Sequence, residues 1–199
     1  MSFSTNETTV SRMHQARSGR AALVFGLICV AACMVLLSGC GKNIPSVDTW
    51  KEHKLGGGKL GAKFPSAPKK VNQAKSVPGV GTLNIEMHQV EISRRYAILS
   101  SFVKYPAVAY DVDAGLDGAV QEAARNNKSS ILSTKNISKN GVKGRESYLK
   151  NPEGPLMRAR VYISDKGDGP EIYQAVVVAT SKSILDDENS TFFLDSLNF

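Results

Sequence analysis

A nearly continuous apolar run occupies residues 172–179, Ile172-Tyr173-Gln174-Ala175-Val176-Val177-Val178-Ala179. It carries no charge, and its length is that of one strand. Such a run is typical of a strand that the rest of the protein covers on both faces. The turn-forming segment at residues 165–170 precedes it, and residues 157–164 form a second strand-like stretch before that turn. The run therefore predicts the centre of a β-sheet.

Strand-like patterns continue outward from this centre toward the amino terminus. Several stretches are rich in β-forming residues or carry apolar side chains at every second position, and two of them stop at Pro65 and Pro106. These stretches predict further strands at residues 59–64, 82–92, 96–105, 130–137 and 144–150. With residues 157–164 and 172–179 they make about seven strands. In the stretch at 82–92 the apolar positions change phase near the end.

Two helices interrupt and follow the strands. Leu116, Ala119, Val120, Ala123 and Ala124 recur at the spacing of one helical face, and acidic residues precede them where the helix dipole is positive. The acidic segment 186–188 precedes four large apolar residues, which predicts a short C-terminal helix. Some of these four residues are expected to face the sheet. About seven strands with one central and one C-terminal helix predict an α+β domain.

The first 39 residues differ in composition from everything after them. Residues 1–20 are polar and contain three arginines against one acid, whereas residues 21–37 contain no charge and no proline. A basic segment followed by an apolar run is typical of an export signal. The apolar run is at the short limit for a helix that crosses a membrane permanently. We therefore interpret residues 1–39 as a signal peptide that is removed.

The apolar run ends in Leu37-Ser38-Gly39-Cys40, which resembles the lipobox of bacterial lipoproteins. The resemblance implies cleavage between Gly39 and Cys40, a diacylglyceryl thioether on Cys40 and acylation of the new amino terminus, with palmitate as the expected acid. Two or more acyl chains hold a protein stably on a membrane. In the family, Asp after the Cys usually retains the protein at the inner membrane, so Gly41 favours the outer membrane. A single-pass anchor with Cys40 as a buried thiol remains the alternative.

Residues 40–57 predict a flexible, lipidated and basic tether, because they contain proline, serine and a glycine run with little apolar periodicity. The charge is uneven: the segment from Lys42 to Lys75 contains eight lysines against Asp48 and Glu52. Attraction of this arm to anionic lipid and a role in solubility alone both remain open. Residues 58–199 are expected to form one domain, which is long enough to bury its own core.

Five short segments of the domain occur in the same order in a known group of bacterial proteins. They are Lys59-Leu60-Gly61-Ala62-Lys63-Phe64-Pro65, Gly141-Val142-Lys143-Gly144-Arg145-Glu146, Arg158-Ala159-Arg160-Val161-Tyr162, Ile172-Tyr173-Gln174 and Phe193-Leu194-Asp195-Ser196-Leu197. In these segments the domain resembles secreted proteins and lipoproteins of the PsbP-like α+β superfamily. The resemblance implies an antiparallel sheet backed by helices and a protein that binds or scaffolds without catalysing. It also implies that Phe193 and Leu197, one helical turn apart, face the sheet. It carries over no ligand-binding residue.

Motifs for a cofactor or a metal are weak. Gly56, Gly58 and Gly61 fit G-x-G-x-x-G, but a dinucleotide site needs a strand before this motif and a helix after it. His53 and His88 form neither a visible zinc cluster nor a Ser-His-Asp arrangement. We therefore expect no cofactor, no metal and no catalytic residue.

Three features have competing interpretations. Asp111 with Asp113, and the acidic segment 186–188, are explained better by helix entry than by cation binding. Trp50, the only tryptophan, either rests at a membrane interface or docks onto the domain. Nucleic acid is not an expected partner, because the basic arm lacks interleaved stacking aromatics.

Two functional hypotheses remain from the sequence. The first is a lipid-anchored, non-catalytic binding or accessory module of the bacterial cell envelope, which lies on the periplasmic or external side and has an envelope protein as its partner. The second is an envelope hydrolase or small-ligand carrier whose site is assembled from distant residues. An apolar pocket with convergent polar groups would favour the second hypothesis.

Overall fold

The computed structural model of the chain describes residues 44–77, 79–107 and 110–199. Within them the strands are β1 (Lys51–Leu55), β2 (Leu60–Phe64), β3 (Lys69–Val77), β4 (Gly81–Ser93), β5 (Tyr96–Lys104), β6 (Ser130–Lys139), β7 (Val142–Lys150), β8 (Leu156–Ser164) and β9 (Glu171–Ala179). The helices are α1 (Val112–Asn126), α2 (Lys182–Leu185) and α3 (Glu188–Asp195). The predicted signal peptide and Cys40 lie outside the described residues, so lipidation stays a prediction.

Seven strands form one antiparallel sheet in the order β3-β4-β5-β9-β8-β7-β6. Strand β9 is the middle strand of this sheet, and only Val178 among its residues is not fully buried. Strands β1 and β2 form a separate antiparallel hairpin. The predicted α+β class is therefore confirmed, with β9 at its centre.

Both faces of the large sheet are covered, which explains why its middle strand is apolar on both sides. Helix α1 packs on one face, called here the helix face, through Leu116 and the alanines of its buried stripe. The β1–β2 hairpin and helices α2 and α3 cover the other face, called the hairpin face, where Phe64 and Phe193 are fully buried. The expected burial of Phe193 and Leu197 is confirmed.

The phase change in β4 follows from this double cover. Leu83, Ile85 and Met87 point to the helix face and are buried there. Val90 and Ile92 point to the hairpin face and join the second core. Side chains alternate regularly along a strand, so the apolar positions change phase where the covering layer changes sides.

The predicted flexible tether is corrected by the structure for residues 50–57. Residues 51–55 form strand β1, which pairs in register with β2 from Lys51↔Phe64 to Leu55↔Leu60. Trp50 is 5% exposed and belongs to the core of the hairpin face. The domain therefore begins before Gly58. Sequence patterns missed β1 because its exposed face is charged and only Leu55 of the strand is fully buried.

Strand β3 was also missed, and the predicted strand at 59–64 belongs to the small hairpin instead of the large sheet. Residues 69–77 are mostly exposed, because β3 is an edge strand. Only Val71 and Val77 of β3 pack against the core, so its apolar alternation is too sparse to distinguish its sequence from that of a loop.

The acidic residues before the helices act as caps, as expected. Asp111 accepts hydrogen bonds from the backbone N–H groups of Asp113 and Ala114 at 3.0 and 3.1 Å. Asp187 accepts one from the N–H of Ser190 at 2.7 Å. Both caps satisfy amide donors that the first helical turn leaves unpaired. Among the helices of the described residues, none has the length and apolar character needed to span a bilayer.

Candidate functional site

A cleft of about 510 Å³ opens at the end of the sheet where α1 begins. Three chain segments form its walls: the residues that enter α1, the turn between β6 and β7, and the end of β8 with the residues that follow it. The lining residues are Tyr110, Asp111, Val112, Asp113, Gly141, Val142, Lys143, Ile163, Ser164, Asp165 and Lys166. Its volume lies within the range of small-molecule and peptide-side-chain sites.

Backbone turns shape two walls of the cleft. Asn140 and Gly141 have positive φ values of 52° and 76°, the conformation of a tight two-residue hairpin turn. The loop between β8 and β9 is held against the start of the β5–α1 connection, because the N–H of Tyr105 donates to the carbonyl oxygen of Pro170 at 2.8 Å. Gly169 has a φ of 142°, and a Cβ placed on it would lie 2.2 Å from the carbonyl oxygen of Tyr105. Only glycine allows this close approach.

Ion pairs join α1 to β7 along the floor of the cleft. Lys143 Nζ lies 2.7 Å from Oδ2 of Asp113, and Arg145 Nε lies 2.9 Å from Oδ1 of Asp117. The hydrogen bond from Lys143 holds the pKa of Asp113 below its usual range, and the same bond raises the pKa of Lys143. Both groups are therefore charged at neutral pH.

Tyr110 forms the inner wall and packs against α1. A Cβ placed on Gly115 would lie 1.9 Å from the Tyr110 hydroxyl, so the absence of a side chain at 115 makes room for the ring. Burial raises the pKa of the Tyr110 hydroxyl, with smaller contributions from Tyr105 and Asp111. The phenol therefore stays protonated at any physiological pH.

The lining presents charges of both signs together with hydrogen-bonding groups. Three carboxylates and two ammonium groups line the cleft, and its lining includes no histidine and no cysteine. Ser164 is the only aliphatic hydroxyl in the lining, so no nucleophile there stands beside a histidine base of the kind that activates serine. Across residues 44–77, 79–107 and 110–199, no three His, Cys, Asp or Glu side chains are grouped as a metal site. The arrangement is suited to holding a polar partner.

A second charged cluster is buried beneath α2 and α3 on the hairpin face. Glu146 is 1% exposed at its side chain, and three cations approach its carboxylate: Arg160 Nε at 2.5 Å, Lys135 Nζ at 2.8 Å and Arg158 Nη2 at 3.1 Å. Burial alone would raise the pKa of Glu146, but hydrogen bonds from Lys135 and Arg160 outweigh it, so the pKa is lowered.

This cluster extends to the C-terminal helices. Arg158 Nη1 donates to the carbonyl oxygen of Leu185 at 3.3 Å and to Oγ1 of Thr191 at 3.2 Å. Arg160 also pairs with Asp195 at the end of α3. The cluster therefore joins β7 and β8 to the helices that cover them, with Glu146 buried at its centre and Lys135 and Asp195 exposed at its margin.

The structure brings the two histidines of the domain together, although 35 positions separate them in the sequence. The rings of His53 on β1 and His88 on β4 lie 6.4 Å apart, and the ring of Phe64 stands edge-on to both. His88 is 5% exposed, and its Nδ1 has no hydrogen-bond partner among the described residues. Burial, followed by the charge of Lys70 and the proximity of His53, lowers the pKa of His88.

The sequence favoured helix entry over cation binding for Asp111 and Asp113, and it did not place Lys143 beside them. The signal for this contact was the Asn140-Gly141 dipeptide, which marks a hairpin turn and fixes where β7 begins. The contact between that turn and the start of α1 depends on how α1 crosses the sheet. No local sequence pattern predicts this crossing.

The comparisons with known proteins support the fold. No protein-family model and no curated protein matches the sequence. Among solved structures, cyanobacterial PsbP (CyanoP) from Synechocystis sp. PCC 6803 is similar, with 12% identity, a TM-score of 0.51 and coverage of 81% of this chain and 98% of that chain. The Ran-binding protein Mog1p from Saccharomyces cerevisiae has 13% identity, a TM-score of 0.43 and coverage of 75% and 94%. The likeness to CyanoP confirms the PsbP-like fold.

Proposed function

We propose that this protein is a lipid-anchored, non-catalytic binding module of the bacterial cell envelope. The observation that carries the binding role is the cleft beside α1, whose lining offers charges of both signs without a histidine or cysteine. Such a lining suits recognition of a polar segment of another envelope protein. The anchor is Cys40, with Gly41 favouring the outer membrane, and the domain lies on the periplasmic or external side.

The cleft lies at the far end of the sheet from the amino-terminal segment, which supports this arrangement. The turn between β6 and β7 and the loop between β8 and β9 both border the cleft end. Trp50 packs at the other end, beside Val90 and Ile92 near the end of β4. A partner can therefore approach the cleft without meeting the membrane.

The experiment has two arms because anchoring and binding are separate claims. For anchoring, cells that produce the full chain or its Cys40→Ser variant are grown with labelled fatty acid. We expect label only in the protein with Cys40, and equal label in both would overturn the anchor.

For binding, a photo-crosslinking amino acid replaces Lys166 at the rim of the cleft or, as a control, Lys150 at the other end of the sheet. Both side chains are exposed, so neither replacement removes a core contact. We expect a discrete crosslinked species from position 166 that is absent from position 150 and that Asp113→Lys abolishes. The same species from both positions would show that the cleft is not the binding site.

A further inference from the structure

The two ends of the sheet differ in how many of their cationic side chains form ion pairs. At the cleft end Lys143 pairs with Asp113 at 2.7 Å and Lys104 pairs with Asp168, whereas the exposed Lys166 makes no ion pair with a described residue. At the opposite end, six exposed cationic side chains surround the turn between β4 and β5, and the exposed Lys150 lies at the same end of the sheet but four strands away on β7. The six are called here the cationic end: Lys51, Lys63, Lys69, Lys70, Arg94 and Arg95. None of the six makes an ion pair with another described residue.

The hairpin lysines lie at this end because β1 runs along β4 in the opposite direction. The N–H of Gly56 donates to Oε2 of Glu86 at 2.8 Å, whereas His53 faces His88. Moving back along β1 therefore means moving forward along β4, so Lys51 lies toward the β4–β5 turn.

The register of the other strands places the remaining cations there as well. Lys63 is one residue from the open end of the hairpin, opposite Glu52. Lys69 and Lys70 pair with Gln89 and His88, near the end of β4. Arg94 and Arg95 form the turn itself. The six residues come from three separate stretches of sequence that the fold brings to one end.

Acidic side chains only partly offset this charge. The exposed acids near the cationic end are Asp48, Glu52, Glu91 and Glu188. The six cations and these four acids together leave a net charge of +2. Asp186 and Asp187 are used within the fold, since Asp186 pairs with Lys182 and Asp187 caps α3.

The chain that leads to Cys40 leaves the domain at the same end. Ile44 and Val47 pack against the core of the hairpin face, and Trp50 Nε1 donates to the carbonyl oxygen of Pro45 at 3.0 Å. Ile44 follows Cys40 by four positions in the sequence, so even a fully extended chain spans only about 14 Å between them. A lipid on Cys40 would therefore hold the cationic end close to the bilayer.

We propose that the cationic end docks on anionic lipid head groups and thereby orients the domain with its cleft directed away from the membrane. This inference rests on the proposed lipid anchor at Cys40. The phosphate groups of anionic lipids can serve as the negatively charged partners that the six cations do not have within the described residues. The short connection lets those cations reach the head groups, where charges attract each other strongly only within about 8 Å at physiological salt.

The test measures which lysines a membrane shields. The full chain, purified from its host with lipid on Cys40, is reconstituted on vesicles of phosphatidylcholine alone and on vesicles that also contain phosphatidylglycerol. A membrane-impermeant amine reagent is added, and its incorporation at each lysine is measured by mass spectrometry. We expect labelling of Lys51, Lys63, Lys69 and Lys70 to fall severalfold on the anionic vesicles. Labelling of Lys166 at the cleft should stay the same, and high salt should restore labelling at the cationic end.

Two charge-reversal variants separate docking from a general charge effect. Lys70→Glu with Arg94→Glu should remove the protection of Lys51 and Lys69. The control, Lys104→Glu with Lys166→Glu, changes the net charge equally at the cleft end and should leave the protection intact.

Equal labelling on the two kinds of vesicle, with lipid present on Cys40, would overturn the docking and leave the anchor in place. A mass spectrum without lipid on Cys40 would overturn the anchor and this orientation with it. If these lysines are strongly protected on both kinds of vesicle, the short connection alone shields them. That result would also overturn the electrostatic docking.

Discussion

The ring of Trp50 stands edge-on to the ring of Phe192, with centroids 5.6 Å apart and planes at 88°. This contact joins the residue before the first strand to the last helix. The ammonium of Lys63 lies 5.4 Å from the centroid of the same Phe192 ring. The amino-terminal segment and α3 therefore hold each other in place on the hairpin face.

Truncation of the tryptophan should destabilise the domain. Trp50 is 5% exposed, and replacing a buried tryptophan with alanine costs about 3 to 5 kcal/mol. We expect Trp50→Ala to lower the urea midpoint strongly, and Trp50→Phe to lower it less because an aromatic ring remains. Since Trp50 is the only tryptophan, its fluorescence reports native unfolding directly, and circular dichroism serves for the variants. A midpoint unchanged in Trp50→Ala would contradict the docked position.

The amino-terminal boundary of the domain can be tested with two fragments. One comprises residues 44–199 and the other residues 58–199, which lack Trp50 and β1. Without β1, strand β2 loses its hairpin partner and Leu60 and Phe64 lose their cover. We expect cooperative urea unfolding of the longer fragment and a much lower midpoint for the shorter one. Equal midpoints would place the boundary at Gly58 after all.

The C-terminal helix should contribute strongly to stability through Phe193. This side chain is fully buried, and its ring lies 5.3 Å from that of Phe64. Phe193→Ala should cost about 3 to 5 kcal/mol of unfolding free energy. The control is Asn198→Ala, because the Asn198 side chain is exposed and its two hydrogen bonds to Gly61 come from the backbone. Similar urea midpoints for the two variants would mean that α3 does not hold the sheet.

The buried cluster at Glu146 should make the domain sensitive to acid. Its folded-state pKa lies below the value near 4.3 of an unfolded glutamate, so its contribution to stability is present above that pH and is lost as the pH falls through the folded pKa. Removing one partner of a buried ion pair costs about 3 to 5 kcal/mol. We expect Glu146→Gln to lower the unfolding free energy at pH 7 and to flatten its decline in acid. Glu153→Gln, on an exposed turn, should change neither.

His88 should add a separate loss of stability at a higher pH. Its folded-state pKa is lowered, so the unfolded chain binds the proton more readily than the native protein does, below about pH 6.5. Unfolding free energy should therefore fall as the pH drops from about 6.5 toward the folded pKa. In His88→Leu this part of the decline should disappear while the Glu146 part remains. Stability curves of the wild type and His88→Leu that run parallel through this range would contradict the prediction.

The sequence by itself determined the features that are local. The apolar run at residues 172–179 identified the middle strand, because a strand buried on both faces needs apolar side chains at nearly every position. The spacing of Leu116 and Ala119 identified α1, and Asp111 and Asp187 identified helix entry, because caps act within three residues of themselves.

Only the tertiary structure decided what depends on contacts between distant segments. Strand β1 is defined by its register with β2 and by the cover it gives to His88, and β3 is defined by β4 alone. The cleft exists because the Asn140-Gly141 turn meets the start of α1, which puts Lys143 beside Asp113. The cationic end unites residues from β1, β2, β3 and a turn that are up to 44 positions apart. Hydrogen bonds between strands and contacts between layers form across sequence separations that no local periodicity records, so their partners are chosen by the whole fold.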